Sequence, residues 1–182
     1  MKEKHFTAVV YCHLVLMVVF ILLSAVNIVG LFEGDKPEKI NGALLNATNI
    51  IGLGCGIWYL IKRYSKKVSI YYKAFIFFII VSNIIYLVRG IKLRGTHDVV
   101  ILCIKISVLL VLAFWKDLGR TATWGTWGVL LAIDLLYWIP FGSYDFSLTI
   151  VVFDTLAKLI IDGTIALAIR GKYIDKKNRG TT

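Results

Sequence analysis

Six long apolar runs, separated by short polar or charged breaks, set the pattern of the chain: 7–31, 41–61, 68–88, 99–115, 123–139 and 147–169. Each approaches or exceeds the ~20 residues that a helix needs to cross the ~30 Å hydrocarbon core of a bilayer, the fourth and fifth being the shortest. In lipid the backbone has no water to bond, and a helix satisfies its own N–H and C=O groups. The pattern therefore predicts an all-α fold, a polytopic membrane helical bundle of about six transmembrane helices forming one domain over residues 1–182. Pro37 and Pro140 both fall at run boundaries, so no predicted helix is broken from within. The first run lacks a small-x-small cleavage site and reads as a retained helix, not a secretion signal.

Composition reinforces this picture. Hydrophobic residues make up 58% of the chain and the mean hydropathy is +0.77, well beyond the roughly half-apolar usage of soluble domains. Little length is left for a soluble catalytic domain. The formal net charge of +10 would suggest nucleic acid if it lay on one soluble face, but here it lies in the breaks between apolar runs. With the N-terminus inside, most of the Lys and Arg residues fall on one side: Lys2, Lys4, Lys62, Arg63, Lys66, Lys67, Lys73, Lys116, Arg120, Arg170, Lys172, Lys176, Lys177 and Arg179. The positive-inside rule then places both termini in the cytoplasm. The expected surroundings are a lipid bilayer, with no nucleic-acid partner, and the Lys and Ile richness points to a bacterial cytoplasmic membrane.

One break dissents. Residues 89–98 carry Arg89, Lys92 and Arg94 on the predicted outer side, where lipid phosphates or an anionic solute would account for them. Trp115, Trp124 and Trp127 flank the break between runs four and five, and Tyr137 and Trp138 close run five, as interfacial aromatic belts do. Cys12, Cys55 and Cys103 lie in three different runs with no Cys-x-x-Cys pair, which predicts packing roles. His5, His13 and Cys12 are too scattered for a metal site, and no cofactor is implied.

The candidate chemistry lies inside the spans. Lys105, Asp134, Asp154, Lys158 and Asp162 are ionisable groups at bilayer depth, where such residues are costly and face a bundle interior or a cavity. The last three form Asp-x-x-x-Lys-x-x-x-Asp, one face of a helix. Counting a rise of about 1.5 Å per residue from each span's midpoint puts Lys158 near the midplane, Lys105 slightly outward, and Asp134 and Asp154 about 5 Å outward. Asp162 alone falls inward. Three aspartates against two lysines leave one negative charge to be met by a proton, a cation or a solute.

Uncharged polar residues lean outward too: Ser24, Asn27, Asn46, Thr48, Asn49, Ser82 and Asn83. An outward-facing polar pocket would explain the asymmetry, lined by Lys105, Asp134, Asp154 and Lys158, with Asn27, Asn49 and Asn83 supplying hydrogen bonds. Gly52 and Gly56 form Gly-x-x-x-Gly in span two, a helix-packing signature. The sequon Asn46-Ala47-Thr48 lies at or inside a span and is discounted.

No His-Glu-x-x-His, Gly-x-Ser-x-Gly or Walker loop is present. Asp162-Gly163-Thr164-Ile165-Ala166 is similar to the opening of the CDP-alcohol phosphotransferase signature, but Leu167 stands where that family has arginine. In size, span count, orientation, outward polar pocket and lack of an ATPase, the chain resembles the substrate-binding S components of energy-coupling factor importers. The resemblance is architectural and implies capture of a vitamin or metal ion beside a separate ATPase module. The alanine-x-x-x-alanine pattern of many S components is missing from span one, where Ala8 is followed four residues later by Cys12. The leading expectation is a small-solute binding or transport protein. The alternatives are a non-transporting interaction protein, such as an immunity or sensor subunit, and a membrane enzyme acting on a lipid substrate.

Overall fold

The computed structural model describes residues 3–32, 37–62, 69–89, 96–114, 120–136 and 148–179. These residues form six helices and no strand: α1 (Glu3–Phe32), α2 (Pro37–Ile61), α3 (Ser69–Arg89), α4 (Thr96–Phe114), α5 (Arg120–Leu136) and α6 (Leu148–Arg179). Three are long and apolar enough to cross a membrane, through Phe6–Ile28, Gly42–Ile61 and Ile70–Val88. A shorter apolar stretch, Val99–Ala113, lies in α4.

Helix ends extend past several of the apolar runs. The second helix begins at Pro37, four residues ahead of the predicted Asn41, because proline's fixed φ suits the first helical position and its missing N–H goes unused there. The sixth continues from the predicted end at Ile169 to Arg179. A hydropathy run measures the apolar length and not the helical length. Beyond Arg170 the sequence remains rich in Lys and Arg, which suit the negative end of the helix dipole.

Each helix packs against its sequence neighbours, and α6 returns to α1, which closes a ring. In addition α6 touches α2. The core forms where α1, α2, α3 and α6 converge: Met17, Leu53, Phe75, Ile76, Ile79 and Ile165 are essentially inaccessible. Glycine makes that convergence possible. A Cβ on Gly56 would lie 3.1 Å from Met17 Cε, 3.2 Å from Phe75 Cδ2 and 3.3 Å from Thr164 Cγ2. One turn earlier, a Cβ on Gly52 would lie 3.0 Å from Phe78 Cβ. Gly54, on the other face, meets nothing within 4 Å.

Outside, the pattern of a water-soluble protein is inverted. Val15, Leu16, Leu22, Val26, Phe77, Val88 and Leu159 are exposed, while Ser24, Asn46, Ser82, Lys105, Asp134 and Asp162 are buried. Large apolar side chains outside and ionic groups inside suit a surface solvated by acyl chains. Cys12 and Cys103 belong to that outer surface instead of packing inside, and only Cys55 is partly buried.

Candidate functional site

The polar residues of the bundle divide into two kinds. Uncharged groups are satisfied largely within their own helices: Thr48 Oγ1 donates to Leu45 O at 2.8 Å, Asn83 Nδ2 to Ile79 O at 2.7 Å, Ser107 Oγ to Cys103 O at 2.9 Å and Thr126 Oγ1 to Ala122 O at 2.9 Å. Such back-bonding to the preceding turn is how short polar side chains live in an apolar environment. Charged groups cannot close on their own backbone in this way, and they reach between helices.

The centre of the site is an ion pair. Lys105 of α4 donates from Nζ to Asp134 Oδ1 of α5 at 2.5 Å, and both side chains are buried. Asp162 of α6, equally buried, lies within electrostatic reach of Asp134, Lys105 and Lys158. Two lysines and two aspartates from three consecutive helices thus form one cluster. Asp134 Oδ2 and Asp162 Oδ1 are buried atoms that accept no hydrogen bond. Trp127 of α5 donates from Nε1 to the backbone carbonyl of Asp162 at 3.0 Å, which ties the two aspartate-bearing helices together without occupying either carboxyl.

Of the other expected site residues, Lys158 is the half-buried member of the cluster, Asn49 is half-buried on α2, Asn83 is buried with its amide committed to α3, and Asn27 is exposed. The C-terminal half of α1 therefore offers Asn27 to the surroundings and not to the interior. Asp154 lies in α6, one turn before Lys158, and its side chain is outside the described residues. Trp124 and Trp127 stack edge-to-face at 5.5 Å and are both half-buried, so Trp127 serves as an interhelical donor and not only as an interfacial anchor. Trp115, Tyr137, Trp138, Lys92 and Arg94 lie outside the described residues.

Two features escape the sequence reading. Asp162, set aside as too far inward, joins the cluster, although its four-residue spacing from Lys158 was a visible signal. The second feature is His13. Its ring lies against Gly163, where a Cβ would sit 2.6 Å from His13 Cε1. His13 Nε2 is 2.9 Å from Thr164 Oγ1. Thr164 Oγ1 also donates to Ile160 O at 2.7 Å, so the hydroxyl joins α6's own backbone to the His13 ring of α1. No His, Cys, Asp or Glu grouping fit for a metal ion occurs among the described residues.

Compared with protein-family models, curated proteins and solved structures, the chain matches none.

Proposed function

We propose that this chain is a multi-pass protein of a cytoplasmic membrane that binds or transports a small polar or charged solute at the cluster formed by α4, α5 and α6. One observation carries the reading: buried carboxylate oxygens of Asp134 and Asp162 lack donors while sitting beside the Lys105–Asp134 pair. An ion pair kept only for packing would be expected to have its lone pairs satisfied, because an unmet polar group in an apolar setting costs roughly 1–3 kcal/mol. A ligand with a donor group would meet that need.

In this reading Lys105, Asp134, Lys158 and Asp162 contact the solute, with Asp154 one turn along α6 toward the entrance. Asn49 and Asn83 border the site, and Asn27 does not take part. Six spans with both termini inside place Asp154 and the start of α6 toward the outer side, so the solute enters from outside. Any energy supply comes from an ion gradient or from a separate membrane or ATPase partner, since the chain contains no nucleotide-binding loop.

The test is a ligand-induced thermal shift with the purified protein in mild detergent, across a panel of vitamins, amino acids and small organic ions. A saturable shift for the wild type that disappears in both Asp134→Asn and Lys158→Met supports the reading. No shift across the panel, or shifts that survive both substitutions, would remove it. Co-purification with a toxin or a kinase, and no solute response, would favour the interaction-protein class. Turnover of a lipid dependent on Asp134 would favour an enzyme.

A further inference from the structure

At the end of the bundle where α1 begins and α6 ends, one basic side chain is set into the packing. Arg170 of α6 is half-buried, and its guanidinium carbon lies 5.8 Å from the centre of the Phe6 ring of α1. Phe6 is 2% exposed, so the guanidinium is held against an interior ring. A ring face offsets positive charge but gives an N–H no lone pair in line with it. Arg170 Nε is a buried N–H with no acceptor among the described residues. One turn away on its own helix stand Ala166, Leu167, Tyr173 and Ile174, none of them an anion that could pair along the helix. Glu3 and Asp175 are the acidic residues of α1 and α6 nearest this end, and their side chains lie outside the described residues.

The level of Arg170 in the bundle identifies the chemistry around it. His13 lies against Gly163, and Phe6, seven residues before His13, meets Arg170, seven after Gly163, so α1 and α6 run antiparallel. The short connection over 33–36 returns α2 alongside α1. Gly56 of α2 lies against Thr164, and Lys62 and Arg170, each six residues further along, therefore reach about the same level. There Lys62 Nζ lies 5.8 Å from the Trp58 ring centre, and the exposed Trp58 lies 6.0 Å from Tyr71 of α3. Trp, Tyr and cations gathered at one level mark the headgroup layer of a bilayer, and the anions of that layer are lipid phosphates.

We propose that Arg170 anchors a binding site for the phosphate of an anionic phospholipid, at the crevice between the start of α1 and the end of α6. Nε and a terminal nitrogen form one edge of the guanidinium, a fork that matches two phosphate oxygens. Phe6 holds the face of that fork, which lowers the side-chain entropy lost when a headgroup docks. A phosphate oxygen entering the crevice meets the N–H that the protein leaves without an acceptor. Lys62, exposed on α2, adds general attraction at the same level but no built contact. The site is separate from the charged cluster, since Arg170 lies about 18 Å along α6 from Lys158, and it stands whether or not the cluster binds a solute.

Native mass spectrometry of the full chain released from mild detergent, titrated with phosphatidylglycerol or with phosphatidylcholine, tests the proposal. The wild type should retain phosphatidylglycerol the more tightly, because the choline ammonium cancels the charge of its own phosphate. Arg170→Lys keeps the positive charge but removes Nε and the fork, and should weaken that retention by at least about tenfold, the size of one charge-assisted hydrogen bond. Lys62→Gln removes a full charge from the exposed surface and should stay within about fivefold of the wild type. Melting in lipid-free detergent checks that each variant is folded. Should Arg170→Lys fail to fold, the wild-type comparison of the two lipids decides. Equal retention of the two lipids by the wild type overturns the proposal, as does unchanged retention in folded Arg170→Lys. A larger loss in Lys62→Gln than in Arg170→Lys overturns it in favour of a diffuse basic surface. Inorganic phosphate that raises the melting temperature as much as phosphatidylglycerol does, through Arg170, overturns the lipid source in favour of a soluble anion.

Discussion

Replacing Gly163 by alanine should destabilise the bundle through one contact, with the His13 ring at its Cε1 atom. The new Cβ would lie 2.6 Å from Cε1 and 3.2 Å from Nδ1. Ordinary contact begins near 3.4 Å, so the ring must retreat by roughly 0.8 Å on the scale of normal packing. His13 is held by Nε2 to Thr164 Oγ1 at 2.9 Å, and a retreat of that size takes the bond beyond useful length. Overpacking costs about 1–3 kcal/mol and the lost hydrogen bond about 1 kcal/mol, for a total near 2–4 kcal/mol. The decisive measurement is a double-mutant cycle on reversible unfolding in detergent micelles. In a His13→Ala background the obstruction is gone, and Gly163→Ala should then be neutral or gain a few tenths of a kcal/mol from helix propensity. A coupling of about 2 kcal/mol or more between the two positions is expected. If Gly163→Ala costs the same with and without the imidazole, the close approach of α1 to α6 at this point is wrong.

Two further predictions concern packing and charge. Gly52→Ala should destabilise by about 1–3 kcal/mol, because its Cβ would lie 3.0 Å from Phe78 Cβ, an atom fixed by the backbone of α3. Gly54→Ala, with open space around it, should stay within ~0.5 kcal/mol of the wild type, and equal melting shifts for the two variants would contradict the assigned α2–α3 face. Lys105→Met leaves Asp134 buried without its cation and should cost about 3–5 kcal/mol, while the double variant Lys105→Met/Asp134→Asn should recover most of it. Additive losses in that pair, read by the same unfolding assay, would show that the two side chains do not meet.

The helices were legible in the sequence because apolar length in a membrane is nearly a physical requirement. Their partners were less so. Nothing in a hydropathy pattern says that α6 packs on both α1 and α2, since that depends on where glycines allow two backbones to approach. Gly52 and Gly56 could be read from their spacing, but Gly163 could not, because its partner is a histidine 150 positions earlier in the chain. Polarity alone also misjudged the asparagines. Asn83 and Asn27 looked equivalent as pocket donors, yet one bonds its own helix and the other is exposed. A side chain of that size can satisfy itself locally, so its presence in a span carries little information about a shared site.

The misplacement of Asp162 has a geometric cause that also explains why the cluster forms. Depth counted from span midpoints puts Asp134 about 5 Å outward and Asp162 about 6 Å inward, a gap of roughly 10 Å. That count treats every helix as upright and every side chain as perpendicular to its axis. Neither holds. A helix tilted by ~20° shifts its register against its neighbours, and each Cα–Cβ bond leans toward the N-terminus of its own helix. Trp127 reaches the carbonyl of Asp162 while Asp134, seven residues later on the same face of α5, lies within electrostatic reach of its carboxyl. A carbonyl points along a helix toward its C-terminus and a side chain leans the other way, so this arrangement suits an antiparallel α5 and α6. In an antiparallel pair, the side chains of Asp134 and Asp162 lean toward each other. Of the two aspartates one turn from Lys158, the C-terminal one therefore lies beside the ion pair.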